Sequence, residues 1–227
     1  MNRFKRMTTA QASRTRIRAQ ILVTLCLMTL PVQAEWYLDL SAGAAVTQED
    51  ALRGSNGGIT DSHQQNFDPS WEVALRIGRW FPEVRWLGIS TEWSLYEAEN
   101  AVLEENLINT FSAHLMFRLS LQETEEHPDG KIQPYFGVGP ALFVSYAEAD
   151  SLTVPGGTVK DVTSDPGLDT RLGVAWMIEQ NLGAFLEYRF TYFRARYEDF
   201  KSASGREDKI EADYLTHHLL LGISYRF

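Results

Sequence analysis

The chain has 227 residues, 44% of them apolar, with 21 Lys and Arg against 30 Asp and Glu and one cysteine. A formal net charge of −9 excludes a nucleic-acid binder, which needs a basic surface to displace counterions from phosphates. Beyond one stretch near the N-terminus, no apolar run approaches the ~20 residues of a membrane-spanning helix, which excludes a helical membrane protein.

The N-terminal stretch comes first. Residues 1–34 hold six basic residues (Arg3, Lys5, Arg6, Arg14, Arg16, Arg18) and no acid, so residues 35–227 carry a net charge of −15. The apolar core from Ile21 to Val32, followed by Gln33 and Ala34, describes a secretory signal peptide cut before Glu35, with translation starting at Met1 or Met7. Cys26 leaves with it, so a disulfide scaffold, a thiol nucleophile and a cysteine-based zinc site are not expected in 35–227. That span is read as one domain, with no cofactor and no metal expected.

The remainder alternates with a period of two, the mark of strands with unlike faces. Eight segments are predicted, at 36–46, 71–80, 86–96, 107–120, 134–146, 168–178, 182–193 and 214–227. One face is apolar: Trp36, Leu38, Leu40 in the first segment, then Trp71, Val73, Leu75, Ile77, and Leu87, Ile89, Thr91, Trp93. It continues through Phe111, Leu115, Phe117, then Phe136, Val138, Pro140, Leu142, and Leu168, Leu172, Val174, Trp176. It ends with Leu186, Tyr188, Phe190 and Leu219, Leu221, Ile223, Tyr225, Phe227. The opposite face is small, polar or charged and carries five acids (Asp39, Glu72, Glu92, Asp169, Glu187) and five bases (Arg76, Arg118, Arg171, Arg189, Arg226).

Alternation alone does not say which face is inside. A soluble barrel turns the apolar face inward; a membrane barrel turns it toward lipid. Two features favour the membrane. Long connections at 47–70, 147–167 and 194–213, and a medium one at 97–106, alternate with shorter ones near 81–85, 122–133 and 179–181. Long outer loops and short periplasmic turns have that pattern, although 122–133 is longer than it prefers. Aromatic residues also cluster at strand ends: Trp36, Trp80, Phe81, Trp86, Trp176, Tyr225 and Phe227 at one end, Trp71, Trp93, Tyr146 and Tyr192 toward the other. Girdles at two lipid–water boundaries have this arrangement.

The last segment, Leu219-Leu-Leu-Gly-Ile-Ser-Tyr-Arg-Phe227, resembles the C-terminal assembly signal of bacterial outer-membrane barrels. The matching residues are Leu221, Gly222, Ile223, Tyr225 and Phe227, while Leu220 departs from the usual polar residue. Pro134-Tyr-Phe-Gly-Val-Gly-Pro140 is similar to the fifth-strand opening of the small eight-stranded family related to the membrane domain of outer membrane protein A, a porin-family barrel. The resemblance implies an all-β, eight-stranded, antiparallel up-and-down transmembrane barrel in a Gram-negative outer membrane. It also implies folding through the barrel-assembly machinery, contact with outer-membrane lipid and lipopolysaccharide, and a monomer.

Eight strands enclose only enough room for side chains, and this small family is itself the standard example of that size. Matched numbers of acids and bases inside suggest pairing, since isolated buried charges are costly. A turn centred on Val84 sets Arg76 opposite Glu92. One centred on Gln180 sets Arg171 opposite Arg189 with Glu187 diagonal to both. The expected lumen network is Arg76, Glu92, Arg171, Glu187, Arg189, Glu72 and Arg118, acting as a plug that fixes register. Ser112-x-His114 reverses the His-x-Ser order of barrel lipid A deacylases and faces inward, so no catalytic residue is expected. The loops hold the surplus charge, −3 in 47–70, −4 in 97–106, −3 in 147–167 and −1 in 194–213. Glu97, Glu99, Glu104 and Glu105 could share divalent cations with lipopolysaccharide phosphates. The reading is a non-enzymatic barrel with a structural or surface-interaction role. Its alternatives are a narrow pore, a lipid A-modifying enzyme and a soluble periplasmic lipocalin-like binding barrel.

Overall fold

The computed structural model describes residues 35–54, 65–66, 69–98, 105–150, 158–197 and 210–227, with side chains in 35–48, 69–98, 107–146, 162–195 and 213–227. The signal peptide read at 1–34 lies outside the described residues, as do Glu99, Glu104 and the tips of the acidic connections.

The strands are β1 (Glu35–Gly54), β2 (Gln65–Asn66), β3 (Ser70–Trp80), β4 (Leu87–Glu97), β5 (Glu105–Arg118), β6 (Ile132–Asp150), β7 (Thr158–Met177), β8 (Leu182–Tyr197) and β9 (Ile210–Arg226). β1 pairs antiparallel with β3, each strand from β3 to β8 pairs antiparallel with the next, and β1 closes on β9 through a ladder running from Tyr37↔Arg226 to Gly54↔Ile210. The two-residue β2 pairs only with Gln48 and Glu49 of β1, so eight strands make the wall. Closure leaves no open edge along the shared height of these strands, which is what a sheet in lipid requires.

Side-chain exposure decides the polarity. Leu40 is 55% exposed and Leu221 67%, whereas Asp169 and Arg189 are fully buried. Thirty large apolar side chains are exposed among the described residues. Full burial of such a side chain is worth roughly 1.5–3 kcal/mol, and each would recover about half of that on leaving water, so this exterior belongs in lipid and not in a soluble compartment. The soluble lipocalin-like alternative falls on this point, because its apolar face would turn inward.

Three features differ from the sequence reading. Five of the strands run well past their predicted ends: β1 to Gly54, β6 to Asp150, β7 from Thr158, β8 to Tyr197 and β9 from Ile210. Much of the supposed loop is therefore ladder, continuing where polar sequence no longer shows a two-sided pattern. Trp80 is no girdle residue. It is 5% exposed, points inward, stacks on Tyr37 at 5.7 Å and lies under the Arg118 guanidinium at 4.5 Å. Arg79, in phase with the lipid-facing residues, sits at the strand end with its guanidinium 5.8 Å from the Trp36 ring.

One close approach dictates a residue type at the seam. Gly43 of β1 lies opposite Leu220 of β9, and a Cβ there would overlap the Leu219 carbonyl and the Leu220 backbone. Only glycine lets these strands meet.

Candidate functional site: the barrel lumen

The inward residues form layers, described from the end with the short turns upward. The first is a polar clasp. Glu35, the first residue of β1, accepts two hydrogen bonds from Arg118 of β5, at 2.9 and 2.6 Å, and another from Arg226 of β9. Arg226 also donates to Gln133 Oε1 at 2.7 Å, and Asp129 approaches Arg118 at 3.4 Å. Trp36 and Phe227 exchange backbone hydrogen bonds of 3.1 and 3.0 Å beside it, tying the two ends of the domain together.

Above the clasp is an apolar layer of Tyr37, Trp80, Met116, Tyr135, Ala175 and Phe185. The void bounded by these residues, Asp39, Arg76 and Arg226 measures about 20 Å³, room for about one water molecule. Above the next layer lies a second apolar group: Ala45, Tyr96, Ile108, Ala141, Phe143, Phe193, Ala195 and Tyr214. Phe143 stacks on Phe193 at 4.3 Å, and Phe193 on Tyr214 at 5.0 Å.

Between them lies the charge layer. Arg76 Nη2 meets Asp39 Oδ2 at 2.8 Å, and its Nη1 meets Glu187 Oε2 at 2.7 Å and Glu92 Oε2 at 3.6 Å. Arg171 grips both Glu92 oxygens, one at 3.0 Å, and reaches Asp169 at 3.0 Å and Glu187 at 3.3 Å. Arg189 binds Glu72 at 2.6 Å, Asp169 at 2.8 Å and Ser94 Oγ at 2.7 Å. Each guanidinium thus spans carboxylates from different strands, and its planar fork of donors suits such bridging. Tyr135 donates to Glu187 at 2.7 Å, and the Arg76 guanidinium lies over the Phe185 ring at 5.3 Å, coupling this layer to the apolar one beneath.

The register sets Arg76 opposite Glu92 and Arg171 opposite Arg189. The acids that reach both Arg171 and Arg189 are Asp169 and, at 3.5 Å from Arg189, Glu92, however, not Glu187. Glu187 turns to Arg171 and Arg76 instead. Asp169 and Glu187 both lie diagonal to the arginine pair, so register alone could not choose between them. Arg118 belongs to the clasp rather than to the central layer. Glu35 was missed because it precedes the first clear alternating position. The inward aromatics escape the sequence pattern because alternation marks their face as polar, and large residues on it carry no separate signal.

His114 and His218 also lie in the charge layer. His218 Nδ1 contacts Glu72, and its Nε2 contacts Thr191 Oγ1 at 3.0 Å. His114 Nδ1 lies 3.3 Å from Ser90 Oγ, and its Nε2 lies 3.0 Å from Arg171 Nη2 and 3.2 Å from Asp169. Ser112 is not its partner. His217 faces outward, bonded to Tyr188 Oη at 2.6 Å. No group of three or more metal-ligating side chains is found among the described residues.

The assembly-signal residues Leu221, Ile223, Tyr225 and Phe227 face outward on β9, 67%, 56%, 53% and 61% exposed, while Gly222 packs against the Phe185 ring.

No protein-family model and no curated protein sequence matches the chain. Two small barrels are among the solved structures that share its fold. Neisserial surface protein A, from Neisseria, is 15% identical at a TM-score of 0.52, covering 85% of this chain and 97% of its own. The outer membrane protein OprG from Pseudomonas aeruginosa is 13% identical at 0.54, covering 84% and 95%. Fold and inside-out polarity together define the class: a small, eight-stranded β-barrel of the outer-membrane type, with its charged residues inside.

Proposed function

We propose that this barrel is a non-conducting, non-enzymatic component of the outer membrane whose role is structural or lies in surface interaction. One observation carries the reading. The charge layer spans the lumen between two apolar layers, and the void beneath it holds about one water. An ion crossing this path would have to part at least one buried guanidinium–carboxylate pair, and separating such a pair costs several kcal/mol. The layer therefore acts as a plug, with register fixed by pairs such as Arg76–Glu92 and Arg171–Glu92.

Enclosure argues in the same direction. Ser90, His114 and Asp169 are arrayed like a nucleophile, base and orienting acid, with Arg171 on the same Nε2 as Asp169. The apolar layers stand between this group and both ends of the barrel, and so bar a substrate from it. We further propose that residues 1–34 direct export, that the C-terminal strand from Leu219 to Phe227 engages the barrel-assembly machinery, and that the acidic connections face lipopolysaccharide.

Single-channel recording of the refolded barrel in planar bilayers tests the plug. The expected result is a flat baseline. Stepwise currents that change on charge reversal at Glu92 would show a pore instead.

A further inference from the structure

The charges of the polar face balance in number but not in place. Of its five bases, Arg118 and Arg226 belong to the clasp, where Glu35 and Asp129 answer them. The charge layer keeps Arg76, Arg171 and Arg189. It holds all five acids of that face: Asp39, Glu72, Glu92, Asp169 and Glu187. Each of these residues is 5% exposed or less. Three cations against five anions leave the layer, between its two apolar neighbours, short of positive charge. An uncompensated buried charge is costly.

The shortfall is plainest at Glu72. Arg189 divides itself among Glu72 at 2.6 Å, Asp169 at 2.8 Å and Glu92 at 3.5 Å. Among the described residues Glu72 meets no second guanidinium; its other oxygen, Oε2, meets His218 Nδ1 at 2.5 Å. A carboxylate only accepts, so this nitrogen carries a hydrogen. The opposite ring nitrogen, Nε2, lies 3.0 Å from Thr191 Oγ1, and a hydroxyl can accept a second one. Both nitrogens of His218 thus face an acceptor, as an imidazolium requires.

The surroundings of the ring are few. Arg189 of β8 is its Cα partner, with Asp169 of β7 beyond it on the far side of that guanidinium. Tyr96 of β4 stands edge-on at 5.0 Å. On β1 the partner is Ala45, and Thr47 is bonded to Thr216 at 3.0 Å. Glu72 of β3 therefore lies between Arg189 on Oε1 and His218 on Oε2. His114 is placed differently. Its Nε2 has Asp169 at 3.2 Å but also the Arg171 guanidinium at 3.0 Å, which opposes a positive charge on that ring.

We propose that a proton on His218 completes the charge layer: as an imidazolium the ring gives Glu72 its second cation, while His114 stays neutral. This rests on the plug reading above and gives it a dependence on pH. Alkaline surroundings remove the proton, the layer becomes more negative by one charge, and Glu72 is left with a share of Arg189. The plug is then weaker than in acid.

The test uses the 35–227 barrel in lipid vesicles, isotope-labelled in its histidine rings and read by nitrogen NMR. At neutral pH the wild type is expected to show His218, assigned by its loss in His218→Gln, with both ring nitrogens protonated, and His114 with one. In Glu72→Gln, His218 should become a neutral imidazole. In urea the wild-type midpoint should fall by about 1 M between mildly acidic and mildly alkaline pH, the scale of one charge-assisted hydrogen bond. Glu72→Gln should lose that dependence. Heat-modifiable gel mobility certifies that each variant is folded. A neutral His218 in the folded wild type overturns the proposal. So does an equal pH dependence in wild type and Glu72→Gln, or a stability that follows sodium concentration instead of pH. The plug reading fails separately, by currents at neutral pH through a barrel whose His218 is charged.

Discussion

Replacing Arg171 by leucine tests whether the charge layer holds the barrel together. Arg171 binds Glu92 through both oxygens and also reaches Asp169 and Glu187. After its removal Asp169 still has Arg189 at 2.8 Å, and Glu187 still has Arg76 at 2.7 Å. Glu92 is the orphan, left with Arg189 at 3.5 Å and Arg76 at 3.6 Å. Stranding one member of a buried pair costs about 3–5 kcal/mol. Relief of the Arg171–Arg189 repulsion offsets part of that, because these residues are Cα partners. With a urea dependence of about 1–3 kcal/mol per molar, the unfolding midpoint in lipid vesicles should fall by at least about 1 M. Tryptophan fluorescence reports the transition. The double variant Arg171→Leu with Glu92→Leu should recover most of the loss, since it leaves no orphan. A single variant destabilised by less than about 1 kcal/mol, the scale of an exposed pair, would refute the reasoning.

Three further outcomes follow from other layers. Glu35→Gln removes the carboxylate shared by Arg118 and Arg226 and should lower stability by about 1 kcal/mol in the same titration, a modest value because the clasp is partly exposed. Gly43→Leu forces a side chain into the Leu219 carbonyl across the closing seam, so refolding yields measured by heat-modifiable mobility should collapse, whereas Ser41→Ala on the same strand should refold normally. Phe227→Ala should reduce the amount of barrel reaching the outer membrane in cells, measured by fractionation, while the purified variant still refolds in detergent.

How much of this was legible in the sequence depended on whether the information was local. The alternation of Trp36, Leu38 and Leu40 against Asp39 and Ser41 is a local signal, and it fixed the faces of β1 without reference to any other strand. Short turns also carry register, so Arg76 opposite Glu92 could be read by counting from Val84. Side-chain reach could not. Asp169 and Glu187 are equally diagonal to Arg171 and Arg189, and their final partners depend on where Arg76 stands on a strand far away in sequence. Tyr37, Tyr135, Phe185 and Phe143 are inward although apolar, because a narrow lumen must be filled as well as neutralised. Trp80 sits at a strand end like the girdle residues, and only its place in the alternation, one step from Arg79, distinguishes inward from outward. The strand extensions beyond Val46 and Tyr146 lose the two-sided apolar pattern and so read as loop.

The central claim is that the apolar face meets lipid and the charged face is sealed inside. Because the only cysteine is Cys26, ahead of Glu35, single cysteines can be introduced into a background without another thiol in 35–227. A fluorophore at Leu115→Cys should be quenched by lipids brominated on their chains and be inaccessible to a water-soluble quencher. Wild-type-like folding with Leu115→Cys open to the aqueous quencher and untouched by brominated lipid would contradict the account.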